Sequence, residues 1–133
     1  MPCSNDQVNA DPKQILVVDD EEAIVRIISS RLGLKGYEVK GSTNPLEALK
    51  LFSAWPEYWD LVITDMIMPS MTGVKLAEEM LKIRSDLPII VCSGYCTISP
   101  QEALKIGVFK YLPKPLDFNE LDITIEKALK RYR

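Results

Sequence analysis

The chain has no histidine among its 133 residues. That absence excludes a Ser-His-Asp triad, a His-ligated metal and a phosphohistidine of its own. Glycine is sparse, at 6 residues, and 47% of the chain is hydrophobic against 26% charged, so collagen-like order and disorder are both excluded. No apolar run approaches the roughly 18 residues of a membrane span. The opening Met1 to Asp6 is polar and has no apolar signal core, so a signal peptide is not expected either. Sixteen bases against nineteen acids give a net charge of -3, and the bases are scattered. Without a basic stripe, direct nucleic-acid binding is not expected. The three cysteines, Cys3, Cys92 and Cys96, are odd in number and fall in no zinc spacing, so they read as free thiols in a reducing cytoplasm.

What remains is enough for one core. Residues 1–13 are polar and aperiodic and read as a tail or linker; residues 14–133 form the folded domain. Gln14 to Asp19 is a short run of branched apolar residues, as in a strand buried on both faces. Ala23, Ile24, Ile27, Ile28 and Leu32 recur at helical spacing, and Gly33 and Gly36 offer a stop. Tyr37 to Gly41 is a second strand, and Asn44-Pro45 caps and opens a second helix. Leu61 to Asp65 is a third strand, Val74 to Leu81 marks a third helix, and Pro88 to Ser93 is a fourth strand. Pro100 to Ile106 fits a fourth helix, Val108 to Leu112 a fifth strand, and Asp117 with Glu120 resembles a capping box before the last helix. Strict alternation of five strands and five helices implies an α/β fold with a doubly wound parallel sheet and helices on both faces. Trp55 and Trp59 flank Pro56 and are expected to cover the edge of the core.

In such sheets the site lies beyond the carboxyl ends of the strands. Strand one delivers Asp19 and Asp20 there, strand three Asp65, strand four Ser93, and strand five runs into Lys114. Each acid alone reads as a solvated turn residue, and Asp20 as a cap for the first helix. Three acids with a hydroxyl and a lysine on one edge call for a cation between them. Oxygen-only ligands suit a small hard ion, Mg²⁺. An ionised Asp can attack phosphorus to give an aspartyl phosphate. Three carboxylates against Mg²⁺ and one lysine sum to zero charge. Conversion of Asp65 to an acyl phosphate leaves the site about one charge more negative, which should draw Ser93 and Lys114 inward.

The stretches Ile15 to Glu22, Thr64 to Gly73, Ser93-Gly94 and Tyr111 to Pro115 resemble the receiver domain of two-component response regulators, over residues 14 to 130. The resemblance implies a flavodoxin-like (CheY-like) fold, with sheet order 2-1-3-4-5. It implies that Asp65 accepts a phosphoryl group from the phosphohistidine of a sensor histidine kinase or a histidine phosphotransfer protein. Asp20, Asp65 and the Ile67 backbone carbonyl would bind Mg²⁺ directly, and Asp19 mainly through water. Ser93 and Tyr111 would be the switch pair, and Lys114 the active-site lysine, aimed by a cis bond to Pro115. Gly73 would serve a turn that most residues cannot make. Ile67 and Tyr95 stand where the family tunes phosphoryl lifetime. Such a protein would be no enzyme beyond its own Mg²⁺-dependent phosphorylation and dephosphorylation. With no further domain after the last helix, output is expected through the face of helix four, strand five and helix five, to a downstream protein or a homodimer. The wording around Asp65 and Ser93 is most similar to receivers of hybrid sensor kinases, and a stand-alone regulator is an equal expectation. A haloacid-dehalogenase-like phosphatase is the enzyme alternative, but it wants a second Asp where Ile67 stands. A docking module that is never phosphorylated is the third reading.

Overall fold

The computed structural model describes residues 11–94 and 99–131. Cys3, Tyr95, Cys96 and most of the expected tail lie outside the described residues. The elements, in chain order, are β1 (Gln14–Val18), α1 (Glu22–Leu34), β2 (Glu38–Ser42), α2 (Pro45–Ala54), a 3-10 turn (Pro56–Tyr58), β3 (Leu61–Asp65), α3 (Gly73–Ile83), β4 (Ile89–Ser93), α4 (Pro100–Ile106), β5 (Lys110–Pro113) and α5 (Phe118–Arg131). All strand pairs are parallel, in the order β2-β1-β3-β4-β5.

Alternation along the strands sorts the core into two layers, because successive side chains point to opposite faces. Ile15, Val17, Ile63, Ile90, Cys92 and Leu112 meet α1 and α5 on one face. Leu16, Val18, Val62, Val91 and Tyr111 meet α2, α3 and α4 on the other. β1, β3 and β4 therefore consist of continuous apolar runs, and their ends deliver polar groups to one edge. Cys92 is buried in the core as a small hydrophobe, and burial pushes its thiol up to about 12.

Several boundaries differ from expectation. α1 runs through Gly33 to Leu34, and the chain turns at Gly36, whose φ of 95° is in the left-handed region. β5 starts at Lys110, not Val108, because Val108 packs in the core ahead of the ladder. Trp59 is buried at 4% exposure, but Trp55 is 72% exposed and covers little of the core. The Asn44 cap is as expected, with Oδ1 accepting from the amides of Leu46 and Glu47 at 2.9 and 3.2 Å.

Candidate functional site

Asp19 follows the last residue of β1 and is tied down at three points. Its amide donates to Ser42 O at 3.1 Å, its Oδ1 accepts from the Glu21 amide at 2.9 Å, and its Oδ2 accepts from Lys114 Nζ at 3.1 Å. Asp65 closes β3 beside Cys92 of β4, and the next amide, Met66, donates to Cys92 O at 2.8 Å. Both acids are buried, at 3% and 8% exposure. Asp20 is exposed, and it does not cap α1: the cap position is Glu21, which makes no side-chain capping bond. The carboxylates of Asp19, Asp20 and Asp65 each place an oxygen within 4.8 Å of the others.

Lys114 follows β5 and brings its amine to both buried acids, 2.9 Å from Asp65 Oδ1 and 3.1 Å from Asp19 Oδ2. Its amide donates to Ser93 O at 2.9 Å, so the loops after β4 and β5 are joined at the site. Ser93 is the last residue of β4 and is buried. The Lys114-Pro115 peptide bond is cis. Tyr111, opposite Val91 in the ladder, has its ring buried in the core and not lying in water.

The loop after β3 corrects one expectation. Gly73 has no left-handed backbone; the residue there with positive φ is Ser70, at 77°. Gly73 opens α3, and its amide donates to Met66 O at 2.9 Å. A Cβ on it would lie 2.1 Å from Asp65 O, so it is glycine for want of space. Thr72 is the cap of α3, with Oγ1 accepting from the Lys75 amide at 3.1 Å. A Thr just ahead of an apolar-periodic segment was the signal for it. Met66 and Met68 are buried in the core, while Ile67 between them is half exposed beside Asp65.

With this geometry in hand, a family model described as the response regulator receiver domain matches residues 15–126. The chain belongs to that family. Among its relatives, the regulatory protein AtoC of Escherichia coli is 36% identical over 117 residues, covering 87% of this chain and 25% of AtoC. A response regulator receiver domain protein from Clostridium thermocellum superposes with a TM-score of 0.86 at 35% identity, over 90% of this chain and 96% of that one. The response regulator TrrA of Thermotoga maritima, solved in complex with Mg²⁺-BeF, superposes with a TM-score of 0.79 at 35% identity, over 88% and 99%. The chain spans between about a quarter and a half of the length of the curated relatives it matches first. Receivers are regulatory switches and not typical enzymes.

The receiver's acidic cup has too little positive charge of its own. Burial pushes the Asp65 carboxyl above its usual range; the hydrogen bond from Lys114 pulls it back, and the negative charge of Asp19 adds to the rise. Burial works against the Lys114 charge, but hydrogen bonds to Asp65 and Asp19 more than offset it and hold the amine above its usual range. The two directions are consistent, because one ammonium serves two buried carboxylates: the cation is over-supplied with anions and Asp65 is under-supplied with cations. An oxygen-only donor set with a net negative excess fits a hard divalent cation such as Mg²⁺. Asp19, Asp20 and Asp65 are the side chains that would hold it. Of the residues singled out in the sequence, Asp19, Asp20, Asp65 and Lys114 meet at this edge, and Ser93 reaches it through its backbone bond to Lys114.

Proposed function

We propose that this receiver is a phosphorylation-dependent switch in a two-component phosphorelay, with Asp65 as its phosphoacceptor. The observation that carries the reading is the Lys114 amine at 2.9 Å from Asp65, inside a cup of three acids. In the transfer, an Asp65 carboxylate oxygen forms a bond to phosphorus as the bond from phosphorus to the donor's imidazole nitrogen breaks. The imidazole leaves with that electron pair and takes up a proton. The donor is a sensor histidine kinase or a histidine phosphotransfer protein, since this chain carries no histidine. Held directly by Asp20, Asp65 and the Ile67 carbonyl, and by Asp19 mainly through water, Mg²⁺ would supply positive charge that keeps the acids ionised and balances the phosphoryl oxygens. Lys114 supplies a second, fixed positive charge at the same oxygens, and the Ser93 hydroxyl a donor.

Phosphorylation leaves the site about one charge more negative. Lys114 and Ser93 are drawn toward it together, because the Lys114 amide is bonded to Ser93 O. Tyr111, two residues before Pro113 in β5, carries the change into the surface of α4, β5 and α5, where Leu104 and Ile123 are half exposed. A downstream protein, or a second receiver, would read that face. Residues 14–133 act as the receiver and 1–13 as a tail or linker, in the cytoplasm; among the described residues no helix is long and apolar enough to cross a membrane.

The test is incubation with a small acyl phosphate and Mg²⁺, followed by mass measurement of the intact protein. One phosphoryl group should add, labile to base and dependent on the metal. Asp65→Asn should add none; uptake by that variant at the wild-type rate would remove Asp65 as the acceptor.

A further inference from the structure

β2 is an edge strand, with β1 on one side and no described strand on the other. The Glu38 amide donates to Lys13 O at 2.9 Å and Ser42 O accepts from the Asp19 amide. The backbone groups of residues 38, 40 and 42 therefore face β1, and by the alternation of a parallel ladder those of Val39 and Gly41 face outward. A cleft of about 670 Å³ is lined by residues 37–40 together with Gln14 of β1, Leu51 and Trp55 of the α2 segment, Tyr58 and Trp59. Glu38 and Lys40 are both exposed. Val39 and Gly41 are half exposed.

We propose that β2 pairs antiparallel with β2 of a second copy, about a twofold axis at Val39, so that one sheet runs through two receivers. Such pairing is isologous: the same patch meets itself. The run Tyr37-Glu38-Val39-Lys40-Gly41 is self-complementary in this register. Val39 faces Val39, and the two exchange both backbone bonds. Glu38 of each copy lies opposite Lys40 of the other, giving two opposite-charge cross-strand pairs. Tyr37 falls opposite Gly41, whose side-chain position is already filled by Val25 of α1, so this pair joins through backbone alone. The Tyr37 amide is already bonded to Leu32 O at 3.2 Å, so that end uses only its carbonyl, which can accept from the Gly41 amide of the other copy. An in-register parallel pairing would set Glu38 against Glu38 and Lys40 against Lys40. Charge thus selects the antiparallel arrangement and this register. The same alternation on a lone strand would serve only to repel strangers. Here it also matches its own reverse. The surface is separate from that of α4, β5 and α5, and the proposal does not depend on phosphorylation.

The test is sedimentation equilibrium of the full, unphosphorylated, metal-free chain over a wide concentration range, for wild type, Glu38→Lys, Lys40→Glu and the double swap. Wild type should form a dimer, and each single reversal should weaken it roughly tenfold or more, since both symmetry-related pairs become repulsive. The double swap should restore it. Amide exchange at Val39 and Gly41 should slow as the dimer forms. Both side chains are exposed, so thermal melting of the variants should stay near that of wild type at a concentration where all are monomeric. A wild-type chain that stays monomeric throughout, single reversals without effect, or a double swap that does not recover dimerisation would each overturn the proposal.

Discussion

Gly73 is held to glycine by a carbonyl. Its missing Cβ would sit 2.1 Å from Asp65 O and 2.9 Å from the carbon of the same group. Backbone cannot swing aside as a side-chain tip can, so Gly73→Ala must push the start of α3 away from the end of β3. The expected cost is about 2 kcal/mol, read from urea unfolding. It should come with slower phosphorylation, because the displaced atoms belong to Asp65 itself. Ala at Gly33, where nothing lies within 4 Å, is the control and should gain slightly in stability from helix propensity. Equal effects at the two glycines would show that packing at Asp65 is not the cause.

Arg84, just past α3, makes a tertiary tie away from the site. Its guanidinium donates to Pro56 O at 2.8 Å and to Trp59 O, and pairs with Asp86 at 3.0 Å. One side chain thereby fixes the 3-10 turn and the entry to β3. Arg84→Ala should cost about 2 kcal/mol, because the carbonyls lose a charged donor. The loss should appear in thermal melting and as a rise in Trp59 solvent exposure. If Arg84→Lys, which keeps the charge but not the fork, matched wild type, the charge and not the two-carbonyl geometry would be responsible. Nothing local in the sequence marks this tie, since its partners are backbone groups 25 and 28 residues away. What was legible is what repeats at a fixed period or sits at a helix start. Buried strands show as branched apolar runs, and the cap of α2 shows as Asn44-Pro45. Even caps were misread where two were alike. The full capping box is at Ser99 and Glu102, with bonds of 2.9 and 3.1 Å both ways, whereas Asp117 caps α5 from one side only in the described bonds. Both segments carry a short polar residue followed three positions later by Glu, and only the finished backbone decides whether that Glu reaches back.

The acidic edge was legible as a set because parallel strands end together, so an acid after each buried run must share one rim with the others. The charge deficit at that rim was not legible, because it depends on how deeply Asp65 and Asp19 are buried and on one lysine serving both. That deficit has a consequence for the stability of the whole molecule. Without metal, burial raises the Asp65 carboxyl above its unfolded value. Between those two values the folded chain holds a proton that the unfolded chain has released, so stability falls as pH rises through that window. A divalent cation binds the ionised form, so its stabilisation should be absent below the window and grow as pH rises through it. At ten times its dissociation constant, Mg²⁺ should contribute about 1.4 kcal/mol. For a chain of this length that is a rise of roughly 5 °C in Tm. Differential scanning calorimetry from pH 4 to 8, with Mg²⁺ or with a chelator, measures the difference directly. Asp65→Asn should flatten this part of the metal-free pH dependence and remove most of the Mg²⁺ effect together, since the raised carboxyl is also one of the three that would hold the ion. A Mg²⁺ shift that keeps its size across the whole range, or survives in Asp65→Asn, would mean that the ion binds elsewhere on the molecule.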